Sequence, residues 1–108
     1  LQRHPEVDGI VCGNDDLARG VLIGLHAAGI DVPHRISVVG HDETHEAALT
    51  TPGLTTIDPD KRSLAATALD VLIARIDGYG GPPRVIEAPY RLVQRGSTSA
   101  LGRQELTG

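Results

Sequence analysis

Apolar positions along the chain fall into short blocks of two alternating kinds. Val7 to Cys12 (Val-Asp-Gly-Ile-Val-Cys) is a mostly apolar run bounded by Pro5 and by Gly13-Asn14, which suits a buried strand. Beyond it the apolar residues recur at three- and four-residue steps: Leu17, Val21, Leu22, Leu25 and Ala28. That spacing predicts an amphipathic helix with one apolar stripe. Asn14 is its N-cap, and Asp15 and Asp16 place negative charge in the first turn, where the helix dipole favours it. Gly29 ends the helix in a left-handed cap, Ile30 packs back on it, and Pro33 prevents continuation. Gly20 and Gly24 lower helix propensity and share one side of the helix, so they are read as sites of close packing.

The same alternation continues. Ile36 to Gly40 predicts a second strand, Thr44 to Leu49 a short helix, and Leu54 to Ile57 a third strand after the Thr50-Thr51-Pro52-Gly53 break. Asp58-Pro59 reads as a helix start, with an acidic N-cap and Pro at the first helical position. Leu64, Ala65, Ala68, Leu69, Leu72, Ile73 and Ile76 form the clearest helical stripe, which Gly78 ends. Gly80-Gly81-Pro82-Pro83 is a turn-rich link to two strand candidates, Val85 to Ala88 and Arg91 to Gln94, split by Pro89. The order predicts an α/β fold with a mainly parallel sheet, flanking helices and right-handed crossovers.

Composition narrows the function. With 108 residues the chain can form one compact core burying about two-thirds of its unfolded surface. Tyr79 and Tyr90 are the only Phe, Trp or Tyr residues, so the core is built from Val, Ile, Leu and Ala. A base-stacking nucleic-acid module, which needs exposed aromatic faces, is excluded. A net charge of −4, with Lys61 the sole lysine and the arginines scattered, argues against a phosphate-binding surface. Cys12 stands alone, so no internal disulfide forms. No apolar run approaches the roughly 20 residues of a membrane span, and Leu1 to Glu6 has no signal-peptide character, which favours a cytoplasmic location. The chain begins at Leu1 and contains no Met, which suggests a piece of something longer.

Ligands of open α/β sheets bind beyond the carboxyl ends of the strands. Two polar clusters fall there: Asn14-Asp15-Asp16 after the first strand and His41-Asp42-Glu43 after the second. If those strands are neighbours, Asn14 and Asp42 can face one crevice. There an ionised Asp accepts two hydroxyl hydrogen bonds and Asn both donates and accepts, which suits a polyol, sugar or nucleoside. The alternative is that each residue only caps the helix that follows it. His41 and His45 stand four apart, yet His-Asp-Glu-Thr-His is not the zinc-protease pattern, and His41 belongs to a strand end; no metal site is assigned. Cys12 lies in an apolar strand, Ser37 and Ser63 lack a nucleophile elbow, and Gly78 to Gly81 is not followed by the Lys-Ser/Thr of a phosphate loop. The chain is not read as an enzyme, and no cofactor is implied.

Several stretches together resemble the lactose/galactose repressor (LacI-type) family of bacterial transcription regulators. They are Asp8-Gly-Ile-Val-Cys-Gly-Asn-Asp-Asp-Leu-Ala-Arg-Gly-Val-Leu22, Val32-Pro-His-Arg-Ile-Ser-Val-Val-Gly-His-Asp42, Leu54-Thr-Thr-Ile57, Ile76-Asp-Gly78 and Leu92-Val-Gln-Arg-Gly-Ser-Thr98, in the family's order over roughly residues 5 to 100. The resemblance implies a fragment of a three-layer, periplasmic-binding-protein-like sensor core that binds a small effector and forms a homodimer. Operator DNA would be contacted only through a headpiece absent from this chain. Asn14 matches the Asn of the family's Ala-Asn-Asp motif, and Asp42 the Asp after its Val-Gly-aromatic motif; both would line the effector cleft. His41 stands where an aromatic is usual. Asp58-Pro59-Asp60-Lys61 lacks the Gln and aromatic of many members, which turns the expectation from a plain hexose toward a broader sugar-like or nucleoside-like effector. Ala65 replaces a frequent Gly.

The resemblance also divides the chain: about 1–57 and 88–98 would belong to the second lobe, about 58–87 to a piece of the first, and 101–108 to a tail. Separated from its lobe, the Leu64 to Ile76 stripe would lose packing surface, so the chain is expected to associate with another copy or to repack compactly. Ile23, off the main stripe, is either part of a dimer surface or simply exposed. A transport-type periplasmic sugar-binding protein is the alternative family reading, and the Leu-Val-x-Arg-x-Ser-Thr ending leans to the repressor.

Overall fold

The structure, a computed structural model, describes residues 1–99; the tail expected at 101–108 lies outside the described residues. The elements are β1 (Gly9–Val11), α1 (Asp15–Ala27), β2 (Ser37–Val39), a 3-10 turn (His45–Ala48), β3 (Thr56–Asp58), α2 (Lys61–Ile76) and β4 (Arg91–Val93). β1 and β2 pair in parallel, with Ile10 beside Val38 and Val11 beside Val39. β3 runs on along the other side of β2: a parallel bridge joins Val39 to Thr55, Gly40 N–H donates to Thr55 O at 2.9 Å, and Asp42 N–H to Ile57 O at 2.9 Å. β4 pairs with β3 in antiparallel register, Ile57 opposite Leu92 and Asp58 opposite Arg91.

The sheet departs from the expected three-layer, mainly parallel arrangement. Among the described residues there are two two-stranded sheets, one parallel and one antiparallel. The strands are three residues long, and the last pairing reverses direction because the chain returns from α2 through a loop. Val85 to Ala88 forms no strand: Val85 is 97% exposed, and Pro82, Pro83 and Pro89 have no amide N–H to give a ladder.

The core lies between α1 and the parallel strands: Ala18, Leu22 and Leu25 of α1 pack with Cys12, Ile36, Val38, Ala47 and Leu54. The predicted stripe is rotated. Leu17 and Ala28 are exposed, and the buried face runs Asp15, Ala18, Leu22, Leu25, because Asp15 turns inward and carries the residues three, seven and ten positions later with it. Both ends of α1 form as expected. Asn14 Oδ1 accepts from Leu17 N–H at 2.8 Å. At the other end Gly29 has φ +71°, its N–H donates to His26 O at 3.0 Å, and Ile30 N–H reaches Leu25 O at 2.9 Å, a Schellman closure. Gly20 and Gly24 make no close packing with another element: a Cβ on either would have no atom within 4 Å beyond its own stretch of helix.

α2 begins two residues later than Asp58-Pro59 predicted. Asp60 is the cap, accepting from Ser63 N–H at 3.2 Å, while Asp58 Oδ1 accepts from Asp60 N–H at 2.9 Å and so turns the chain into the helix. None of the residues of α2 is buried, and Leu69, Leu72, Ile73 and Ile76 are each more than half exposed. The radius of gyration, 18.7 Å, exceeds the ~13 Å of a compact domain this long. The chain therefore extends α2 away from the α1 core and does not repack compactly around it.

Candidate functional site at the carboxyl edge of the strands

Register places the candidate residues together. Val11, Val39 and Thr55 lie side by side across β1, β2 and the entry to β3. Asn14, Asp42 and Asp58 each stand three residues beyond those positions, so all three reach the same carboxyl edge. Asp15 N–H, donating to His41 O at 2.9 Å, ties the loops after β1 and β2 to one another.

Asn14 acts as the helix cap through Oδ1, and its Nδ2 donors are not part of that bond. Asp42 does not cap the 3-10 turn: Thr44 is the cap residue there, with no side-chain cap bond. The Asp42 carboxylate is partly exposed and lies 2.9 Å from His41 Nδ1, which donates to it when that nitrogen carries a proton. Asp42 and Glu43 have φ of +113° and +51°, values that side-chain-bearing residues rarely adopt.

What holds this strained turn is a set of contacts the sequence reading missed. Asp15 is 2% exposed. Its Oδ1 accepts from Thr56 Oγ1 at 2.6 Å, and its Oδ2 from Thr44 N–H at 2.8 Å and Thr44 Oγ1 at 3.2 Å. The Glu43 carboxylate receives two bonds from Arg95 Nη2, at 2.7 and 2.9 Å, while Arg95 Nη1 donates to Leu54 O at 2.9 Å. Ser97, fully buried, accepts from Thr55 N–H at 2.8 Å and donates to Val38 O at 2.6 Å, so it stitches β2 to β3. The Arg95-Gly-Ser97-Thr98 motif is thus a structural lock. Its signal was visible only as two Thr at 55 and 56 and a polar ending, with no spacing rule to connect them.

Asp58 closes the edge. Its carboxyl lies below its ordinary value of 3.8, first because it accepts from Asp60 N–H, then because Arg91 bonds it and, with Lys61, attracts the charged form. A lowered folded-state value means that the stability Asp58 contributes is complete above 3.8 and is lost as pH falls through the depressed value. A carboxyl-detected NMR titration should therefore give a midpoint below 3.8 for Asp58 and a return toward 3.8 in Arg91→Ala. A wild-type midpoint at or above that value would contradict the pairing.

Among the described residues no group of three His, Cys, Asp or Glu is placed to hold an ion. Burial pushes the Cys12 thiol above its ordinary range, away from the reactive thiolate. No described helix is long and apolar enough to cross a membrane. Cavities open at opposite ends of the sheet. One of about 430 Å³ lies at the far end of α1, between His26, Ile30, Val32 and Pro52. The other, about 310 Å³, opens at the carboxyl edge itself beside Asp58, Asp60, Pro89, Tyr90 and Arg91.

A parallel β-α-β unit with polar residues gathered at its strand ends is the architecture of a ligand-binding lobe. Residues 1–98 match the periplasmic binding protein-like domain, and the chain belongs to that family. Within it, the chain is similar to a part of LacI-type transcription regulators. It is 40% identical over 90 residues to the transcriptional repressor PurR of Escherichia fergusonii, an alignment covering 83% of this chain and 26% of the repressor. The chain thus spans about a quarter of the curated relatives it matches. Among solved structures, the lac repressor dimer bound to operator and an anti-inducer superposes with a TM-score of 0.78 at 33% identity, over 86% of this chain and 32% of that one. A LacI-family regulator from Arthrobacter, in complex with lactose, gives 0.78 at 35% identity over 92% and 37%. These relatives are transcription regulators.

Proposed function

We propose that the chain contributes one wall of the effector site of a LacI-type transcription regulator, with Asn14 and Asp42 contacting a small sugar-like or nucleoside-like ligand. The observation that carries this reading is their common register at one carboxyl edge, three residues past paired strand positions. Asn14 offers amide donors and Asp42 a partly exposed acceptor, a complementary pair for ring hydroxyls. The lactose bound by the Arthrobacter relative supports the ligand class. Residues 58–87 act as a piece of the neighbouring lobe, a reading supported by the unburied α2. Closure of the cleft on effector shifts the population between forms of different fit to operator DNA, through differential affinity. DNA contact belongs to a headpiece outside this chain, and the regulator works in the cytoplasm as a homodimer, as the dimeric lac repressor relative suggests. Ile23, 65% exposed, is the apolar position offered for the dimer contact.

Calorimetry of the full-length protein with lactose and with guanosine tests the site. One of them should bind, and Asp42→Ala should weaken that binding about ten- to a hundredfold, the worth of a hydrogen bond to a charged group. Unchanged binding in the variant would sink the assignment.

A further inference from the structure

Tyr79 and Tyr90 are the chain's two tyrosines, and the structure uses them differently. Tyr79 is committed to the end of α2: the guanidinium groups of Arg75 and Arg84 each lie 5.0 Å from its ring centre, and Gly81 packs so closely that a Cβ there would run into the ring. Tyr90 is 78% exposed. Because Arg91 stands opposite Asp58 in the antiparallel pair, Tyr90 comes opposite Pro59, at the end of β3 that carries the candidate site. It lines the 310 Å³ cavity with Asp58, Asp60, Pro89 and Arg91. That volume is at the lower end of the range for small-molecule sites, about 300–1,000 Å³.

From this placement we infer that Tyr90 and Arg91 form a ring-stacking subsite of the effector cleft, with Tyr90 as a specificity-determining residue. The inference rests on the effector reading above and assigns a second wall to that site. Asp58 Oδ2 accepts from Arg91 Nε at 3.1 Å, which fixes the guanidinium and leaves its Nη donors to an incoming acceptor. The phenol ring supplies a flat apolar face beside those donors, and the Asp60 carboxylate an acceptor at the same cavity. The matching ligand is a flat-faced ring with oxygen acceptors and hydroxyl or N–H donors on its rim, a description that fits a pyranose and a nucleobase alike. β4 thereby delivers an aromatic face beside the Asp58-to-Lys61 segment, which contains none.

The test uses the full-length protein and two probes, lactose and guanosine, measured by calorimetry on wild type, Tyr90→Ala, Tyr90→Phe and Asp42→Ala. The probe that binds wild type distinguishes a sugar from a nucleobase source. Tyr90→Ala should weaken it about tenfold, as loss of a stacking face does, and Tyr90→Phe should restore it to within about threefold. The unfolding midpoint should stay unchanged in both Tyr90 variants, because the side chain is exposed. Wild-type affinity in Tyr90→Ala with weakened binding in Asp42→Ala overturns the subsite and leaves the Asp42 site standing. Loss in Tyr90→Ala that Tyr90→Phe does not restore overturns the stacking role. Binding of neither probe to wild type overturns both readings.

Discussion

Replacing Asp15 with alanine is expected to destabilise the chain by about 3 kcal/mol, a large share of the 5–15 kcal/mol that holds a typical domain together. The carboxylate is buried and accepts three hydrogen bonds from two threonines. Truncation leaves the fully buried Thr56 hydroxyl and the Thr44 N–H without their acceptor, and a hydrogen bond to a charged group is worth about 1.5–3 kcal/mol. Relief of the cost of burying a charge offsets part of the sum, which is why the expected loss is nearer one such bond than three. Asp15→Asn separates shape from charge. The Thr44 N–H can only donate, so the amide must turn its oxygen toward Thr44 and its NH₂ toward Thr56. The Thr56 hydroxyl can rotate to accept, and the cost should fall to about 1 kcal/mol. Urea unfolding with an unchanged m-value is the measurement. An Asp15→Ala cost within about 0.5 kcal/mol of wild type, as at an ordinary surface position, would show that the node contributes nothing.

The same variant bears on the site, because Thr44 follows directly on the strained pair Asp42 and Glu43. Positive φ at consecutive non-glycine residues persists only where the surroundings over-determine it. Here the restraints are Asp15 on one side and Arg95 on the other.

How much of this could be read from the chain depends on how far each signal travels. Both ends of α1 were legible because a cap is written within a few residues: Asn14 three before Leu17, Gly29 one before Ile30. Which face of α1 is buried was not, since Leu17 and Ala18 are equally acceptable to a periodicity argument. The choice is made by Asp15 reaching Thr44 and Thr56, 29 and 41 residues away. The α2 start slipped by two residues because Asp58 and Asp60 are both good caps, and Asp58 is occupied as the last residue of β3. The direction of β4 was hidden for a similar reason: a short apolar run has the same pattern in either orientation. Asn14 and Asp42 were legible as polar strand ends. Their common edge needed the parallel register of β1 with β2, which no local pattern encodes.

Gly40 provides the sharper test of the Asp15 node. Its backbone is not in the left-handed region, so glycine is required here by space and not by conformation. A Cβ would run into Asp15 Oδ1 and lie 3.0 Å from Leu54 Cδ2 and 3.3 Å from Ala18 Cβ. A carboxylate on a flexible surface side chain would move aside, but this one is held by three bonds. Gly40→Ala should therefore cost about 2–3 kcal/mol, the upper part of the range for overpacking. In the Asp15→Ala background the obstructing oxygen is gone, Leu54 need shift only a few tenths of an ångström, and the same substitution should cost less than about 1 kcal/mol. The double-mutant cycle should thus show a coupling of about 1.5–2 kcal/mol between the two positions, within the range measured for residues in direct contact. If the two costs simply add, the clash lies with Leu54 and Ala18, and Asp15 is not the rigid post around which the edge of the sheet is built.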